Sequence, residues 1–103
     1  MELEAARTQS EALQRLRLLE PQLCARGLRS LFLFGSLQRG DATATSDADL
    51  YGEFSPEASL GWDFAGVPDL LTRALNRRVD FTTRGALHPL LRADIERAAV
   101  QVF

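Results

Sequence analysis

Leu31-Phe32-Leu33-Phe34-Gly35-Ser36-Leu37-Gln38-Arg39-Gly40-Asp41, followed closely by Ser46-Asp47-Ala48-Asp49-Leu50, is the stretch that decides how this chain folds. The apolar run at 31–34 is bounded by Ser30 and Gly35, which predicts a short strand buried on both faces. Residues 35–46 are small and polar, which predicts a loop with one helical turn near residues 37–39. Residues 47–54 read as a second strand. Strand side chains at i and i+2 share a face, so Asp47 and Asp49 project together while Ala48 and Leu50 turn to the core.

Carboxylates placed this way repel, and each pushes the other toward its protonated form. A divalent cation removes the conflict. Mg²⁺ takes oxygen ligands at ~2.1 Å and keeps waters that substrate phosphates replace. A further acid, Asp80, lies in Arg78-Val79-Asp80-Phe81-Thr82, a predicted third strand. Val79 and Phe81 form its apolar face and leave Asp80 on the other. If this strand pairs beside the second, three carboxylates converge on one side of the sheet. They suffice for a pair of ions ~4 Å apart that activate a hydroxyl and stabilise a leaving pyrophosphate. Upstream, Gly35 lets a phosphate approach the backbone closely. Ser36 offers its hydroxyl and the free N–H groups of a helix start. Arg39, about one turn later, reaches the same phosphates.

Taken singly, each feature has a plain structural reading. An Asp-x-Asp occurs at exposed strand ends, and Ser36 could serve only as a helix N-cap. Asp80 could guard a strand edge against aggregation, and Arg39 could be solvated or paired with Asp41. Together and in this order, they favour catalysis.

Outside this region, leucines at 13, 16, 19 and 23 predict a helix over residues 3–25, kinked or restarted at Pro21 and stopped by Gly27. Residues 55–57 read as a turn, and the second half of 62–76 as a helix. Arg84-Gly85 breaks the third strand. Leu87, Leu90, Leu91, Ile95 and Ala98 predict a helix over 87–98, with an edge strand over 100–103. Cys24 is expected to pack as a small hydrophobe, and Trp62 and Phe64 as core residues beside Gly61 and Gly66. Arg77 and Arg78 are expected to solvate a helix end. His88, before Pro89, is expected to be exposed or to cap a helix start. The resulting fold class is mixed α/β (α+β): one domain over residues 1–103, with a small sheet and helices mainly on one face.

Composition narrows the function. At 103 residues a single core buries roughly 60–70% of the unfolded surface, so a large substrate must be met on an open surface or with a partner. The net charge of −2 argues against stable nucleic-acid binding. All 12 basic residues are arginine, a choice that suits bidentate phosphate contacts but follows mainly from GC-rich coding. No apolar run reaches a membrane-spanning length, and the acidic start lacks a signal peptide's apolar core. A cytoplasmic location is expected.

The Gly35-Ser36 pair, the loop, Asp47-Ala48-Asp49 and the later Asp80 closely resemble the signature of the DNA polymerase β-like nucleotidyltransferase superfamily. The short length, the Arg39-Gly40 pair and the leucine-rich C-terminal segment are similar to its minimal nucleotidyltransferase branch. The resemblance runs from about residue 30 to the end of the chain. It implies two Mg²⁺ ions, both bound by Asp47 and Asp49. Asp80 would bind the catalytic ion and help deprotonate the attacking hydroxyl. Gly35 and Ser36 would hold the β- and γ-phosphates of an NTP, with Arg39 assisting. ATP is the expected donor, and a tyrosine of a HEPN-type toxin the expected acceptor. The chain would then be an antitoxin in a hetero-oligomer with that toxin. The alternative is a non-catalytic module that neutralises its partner by covering it. Asp49-Leu50-Tyr51-Gly52 departs from the branch, which usually continues with aliphatic residues. Tyr51 shares the carboxylate face, where it would line the nucleotide site or partly obstruct it.

Overall fold

The computed structural model describes residues 4–58 and 62–103, with backbone alone at 62 and 63. The chain runs through α1 (Gln9–Arg17), α2 (Glu20–Ala25), β1 (Leu28–Phe34), α3 (Gly35–Arg39), β2 (Ala48–Phe54), α4 (Trp62–Leu75) and β3 (Val79–Thr83). A 3₁₀ turn (Arg84–Ala86), α5 (Arg92–Ala98) and β4 (Val100–Gln101) complete it. Thr8 caps α1 by accepting from the Glu11 N–H at 3.1 Å. Pro21 opens α2 near its N-terminus, where its missing N–H costs nothing. The helix expected over 3–25 is therefore two helices, restarted at Pro21, with Gly27 at φ +88 ending the second. Residue 3 and Gly61 fall outside the described residues, as does the Trp62 side chain expected in the core.

The sheet order is β3-β2-β1-β4. β1 is antiparallel to β2 and to β4, and β2 is parallel to β3 across the α4 crossover. Alternation sorts the two faces. Leu31, Leu33, Ala48 and Leu50 point to one side and are fully buried with Leu16, Val67, Leu71 and Leu75. Phe32, Phe34, Asp49, Tyr51, Asp80 and Thr82 share the opposite side, by ladder register. Leu33 and Leu50 are registered partners at the centre of the core. Leu50→Ala should cost about 2–5 kcal/mol, read as a lowered denaturant midpoint.

The helix expected over 87–98 starts later, at Arg92. Leu87 packs inward, but Leu90 and Leu91 are 86% and 53% exposed. His88-Pro89 holds this stretch in a turn, with His88 Nδ1 accepting from the Leu90 N–H at 3.2 Å. Cys24 is exposed on α2, not packed; Leu23, its neighbour, takes the buried position. Phe64, expected in the core, is half-buried, in ring contact with Phe54 and Phe81.

Candidate active site

β1 ends at Phe34, and the chain turns at once into α3. Gly35 makes the corner at φ +76. A Cβ here would press on Asp49 Oδ2 and lie 3.0 Å from Asp49 Cγ, so corner and carboxylate are in close contact. Gly40, at φ +86, ends the short helix. Its last residue, Arg39, reaches Asp41 at 3.3 Å in an exposed ion pair.

The strands set the acids. Asp49 is registered opposite Phe34 on one side and Asp80 on the other. Asp49 and Asp80 therefore leave the same face side by side. Asp47 sits just before β2, and its carboxylate meets Arg78 Nε at 3.1 Å. Exposed pairs of this kind are worth about 0–1 kcal/mol, so this contact would be a weak competitor for any cation at Asp47. Among the described residues, no three acidic, histidine or cysteine side chains are gathered closely enough to form a ready-made metal cluster. The donor set itself, three carboxylates and no soft ligand, matches a hard cation.

Asp49 carries the electrostatic tension. Burial raises its carboxyl pKa above the ordinary value, and the nearby charges of Asp80 and then Asp47 raise it further; Arg39 opposes them. A group disfavoured as an anion in the bare protein is one that a cation would relieve.

A cavity of about 520 Å³ opens beside these residues. Phe34, Gly35, Ser36, Gln38, Arg39 and Asp49 form one wall, and Asp94, Ile95 and Ala98 of α5 the other. Asp47 and Asp80 are not among its lining residues; Asp49 joins the cavity to them. The α5 wall was not visible in the sequence, where Asp94 looks like any solvated helical acid. Tyr51 neither lines the cavity nor blocks it. It is 1% exposed, stacked on Phe32 at 4.8 Å, with the Arg84 guanidinium 5.5 Å from its ring centre. Arg84 in turn pairs with Glu53 at 3.0 Å.

One expectation fails outright. Arg78 is solvated apart from Asp47, but Arg77 is only 9% exposed. Its guanidinium lies between the N-terminal segment and the loop that leads to Asp47, and among the described residues it donates to backbone carbonyls. Adjacent arginines look alike in sequence; which of them turns inward depends on packing.

The nucleotidyltransferase domain family matches residues 16–102. A protein of Methanocaldococcus jannaschii assigned as a protein adenylyltransferase is 35% identical over 83 residues, covering 81% of this chain and 88% of that protein. A solved structure described as a minimal nucleotidyltransferase is 36% identical, with a TM-score of 0.71 over 87% of this chain and 92% of the other. A toxin–antitoxin structure with AMP-PNP has the same fold at 19% identity, with a TM-score of 0.66 over 86% of this chain and 72% of that one.

Proposed function

This chain belongs to the nucleotidyltransferase domain family, and from that membership we propose that it transfers AMP from ATP to a tyrosine hydroxyl of a HEPN-type toxin. It is a nucleotidyltransferase; the donor, acceptor and partner are the proposal. The observation that carries it is the parallel register of Asp49 with Asp80, next to a Gly35 corner that touches Asp49. That arrangement supports a triphosphate held at the corner with its α-phosphorus over the carboxylates.

In this reading Gly35 and Ser36 hold the β- and γ-phosphates through backbone N–H groups and the Ser36 hydroxyl, and Arg39 leaves Asp41 to join them. Asp47 and Asp49 would hold two Mg²⁺ ions, with Asp80 completing the catalytic one. When bound, such a pair lowers the pKa of an attacking hydroxyl and neutralises charge on the leaving group. Asp80 takes the proton of the acceptor hydroxyl. The acceptor oxygen attacks the α-phosphorus, the bond from that phosphorus to the bridging oxygen breaks, and pyrophosphate leaves with the electron pair. The acceptor must come from another molecule, because Tyr51 is buried beneath Arg84. A toxin partner is supported by the toxin–antitoxin fold relative, and ATP by the AMP-PNP in that structure.

The test incubates the protein with α-labelled ATP, Mg²⁺ and the product of a neighbouring gene for a small helical protein. Label should pass to the partner and be lost with EDTA. Full neutralisation of the partner with no label transfer would leave a binding module in place of the enzyme. Within the active protein, Ser36→Ala should raise KM for ATP roughly tenfold with a smaller change in kcat, the loss of one charge-assisted hydrogen bond worth about 1.5 kcal/mol.

A further inference from the structure

Among the described residues Arg77 is the buried charged side chain, 9% exposed, and it holds the turn that leads to Asp47. It follows α4 after Asn76, whose φ of 47 turns the chain, and lies two residues before β3 begins at Val79. Nε and Nη2 donate to the Ala6 carbonyl at 3.1 and 2.8 Å, and Nη1 donates to the carbonyls of Thr43 and Ser46 at 2.8 and 2.7 Å. No carboxylate among the described residues lies within ion-pair distance of it. A guanidinium taken out of water without a counter-charge is costly unless its donors are met. Here they are met by carbonyls of two segments that lie 71, 34 and 31 residues away in sequence.

The second of these segments matters most. The 43–46 turn closes on itself, Thr43 N–H to Ser46 Oγ at 2.9 Å and Ser46 N–H to the Thr43 carbonyl at 3.2 Å. Arg77 grips carbonyls at both ends of that turn, and the Ser46 carbonyl belongs to the peptide leading into Asp47. One residue on, the Ala48 N–H donates to the Arg78 carbonyl at 2.8 Å. Two consecutive residues of one segment thus hold both sides of Asp47.

We propose that Arg77 is a positioning residue for the proposed cation site: it ties the 43–46 turn to the segment that leads into β3, so that the backbone at Asp47 is held in place beside Asp49 and less loop entropy is lost on binding. The inference rests on the reading of Asp47 as a metal ligand. Outer supports of this kind are typically worth ten- to hundredfold in metal affinity, about tenfold being expected for one that acts through the backbone.

The experiment measures Mn²⁺ binding by electron paramagnetic resonance on the full chain, for wild type, Arg77→Gln and Arg77→Lys, each well below its own Tm. Arg77→Gln should bind Mn²⁺ roughly tenfold more weakly while still folded, and Arg77→Lys should recover part of the loss. A merely structural arginine would lower Tm and leave the affinity of the folded protein unchanged; that result overturns the proposal. Wild type that binds no Mn²⁺ would instead remove the metal reading on which it stands. Should both variants fail to fold, hydrogen exchange in the wild type decides. The Arg77 Nε–H and the amides of residues 43–47 should open together at one rate, and independent opening overturns the proposal.

Discussion

Asp49→Asn should abolish nucleotidyl transfer and, in the same molecule, make the metal-free protein harder to melt. The two effects have one origin. Asp49 lies between Gly35 and Asp80, partly desolvated, with two like charges close by. Removing its charge deletes a ligand common to both proposed ions, and a loss of about 4 kcal/mol of transition-state stabilisation is roughly a thousandfold in rate. It also deletes the repulsion. The sign follows from linkage. An acid whose pKa is raised on folding binds its proton more tightly in the native state, so its contribution favours the fold below its ordinary value of 3.8 and is lost as pH rises through the folded value. In EDTA, wild type and Asp49→Asn should therefore melt alike in acid and separate as pH rises, the variant melting higher at neutrality. Near-normal transfer by the variant would remove Asp49 from the mechanism. An equal or lower melting temperature at neutral pH would remove the electrostatic account.

Gly35→Ala should lose activity out of proportion to stability. A residue with a Cβ at φ +76 costs about 1–3 kcal/mol in backbone strain. The methyl group would also be driven against Asp49. Displacing a reacting group by about 1 Å can cost a hundredfold, and a fall of roughly that size in kcat/KM is expected here. Gly40→Ala is the control. Gly40 has the same left-handed backbone, at φ +86, but nothing lies within 4 Å of the place its Cβ would occupy. It should lose comparable stability and keep most of its activity. If both variants lose activity equally, backbone strain alone explains Gly35, and its contact with Asp49 has no catalytic weight. Steady-state kinetics and thermal melts on the pair separate the cases.

Much of this was legible in the sequence because it is written in local patterns. Alternation in 47–54 put Asp49 opposite in sense to Ala48 and Leu50, and the ladder agrees. Val79 and Phe81 gave the orientation of Asp80 in the same way. What escaped was decided between distant segments. Arg77 and Arg78 have the same side chain and neighbouring positions, yet the Thr43, Ser46 and Ala6 carbonyls receive only the first. Leu90 and Leu91 fit a helical spacing but are exposed, because helix begins only at Arg92. Asp94, Ile95 and Ala98 reach the cavity through the fold-back of α5, which no spacing rule reports. Cys24 looked apolar by its surroundings, and one step around α2 put it outside.

The pairing of β3 with β2 has a consequence for how damage to this protein would present. Side chains alternate along a strand, so a slip of one residue would carry the residue-80 carboxylate to the reverse of the sheet, with no intermediate placement. Lesions in that ladder should thin out the number of competent molecules in a preparation and leave the turnover of each survivor intact. A titration of active sites, more than a rate averaged over all chains, is the measure suited to such an on-or-off architecture.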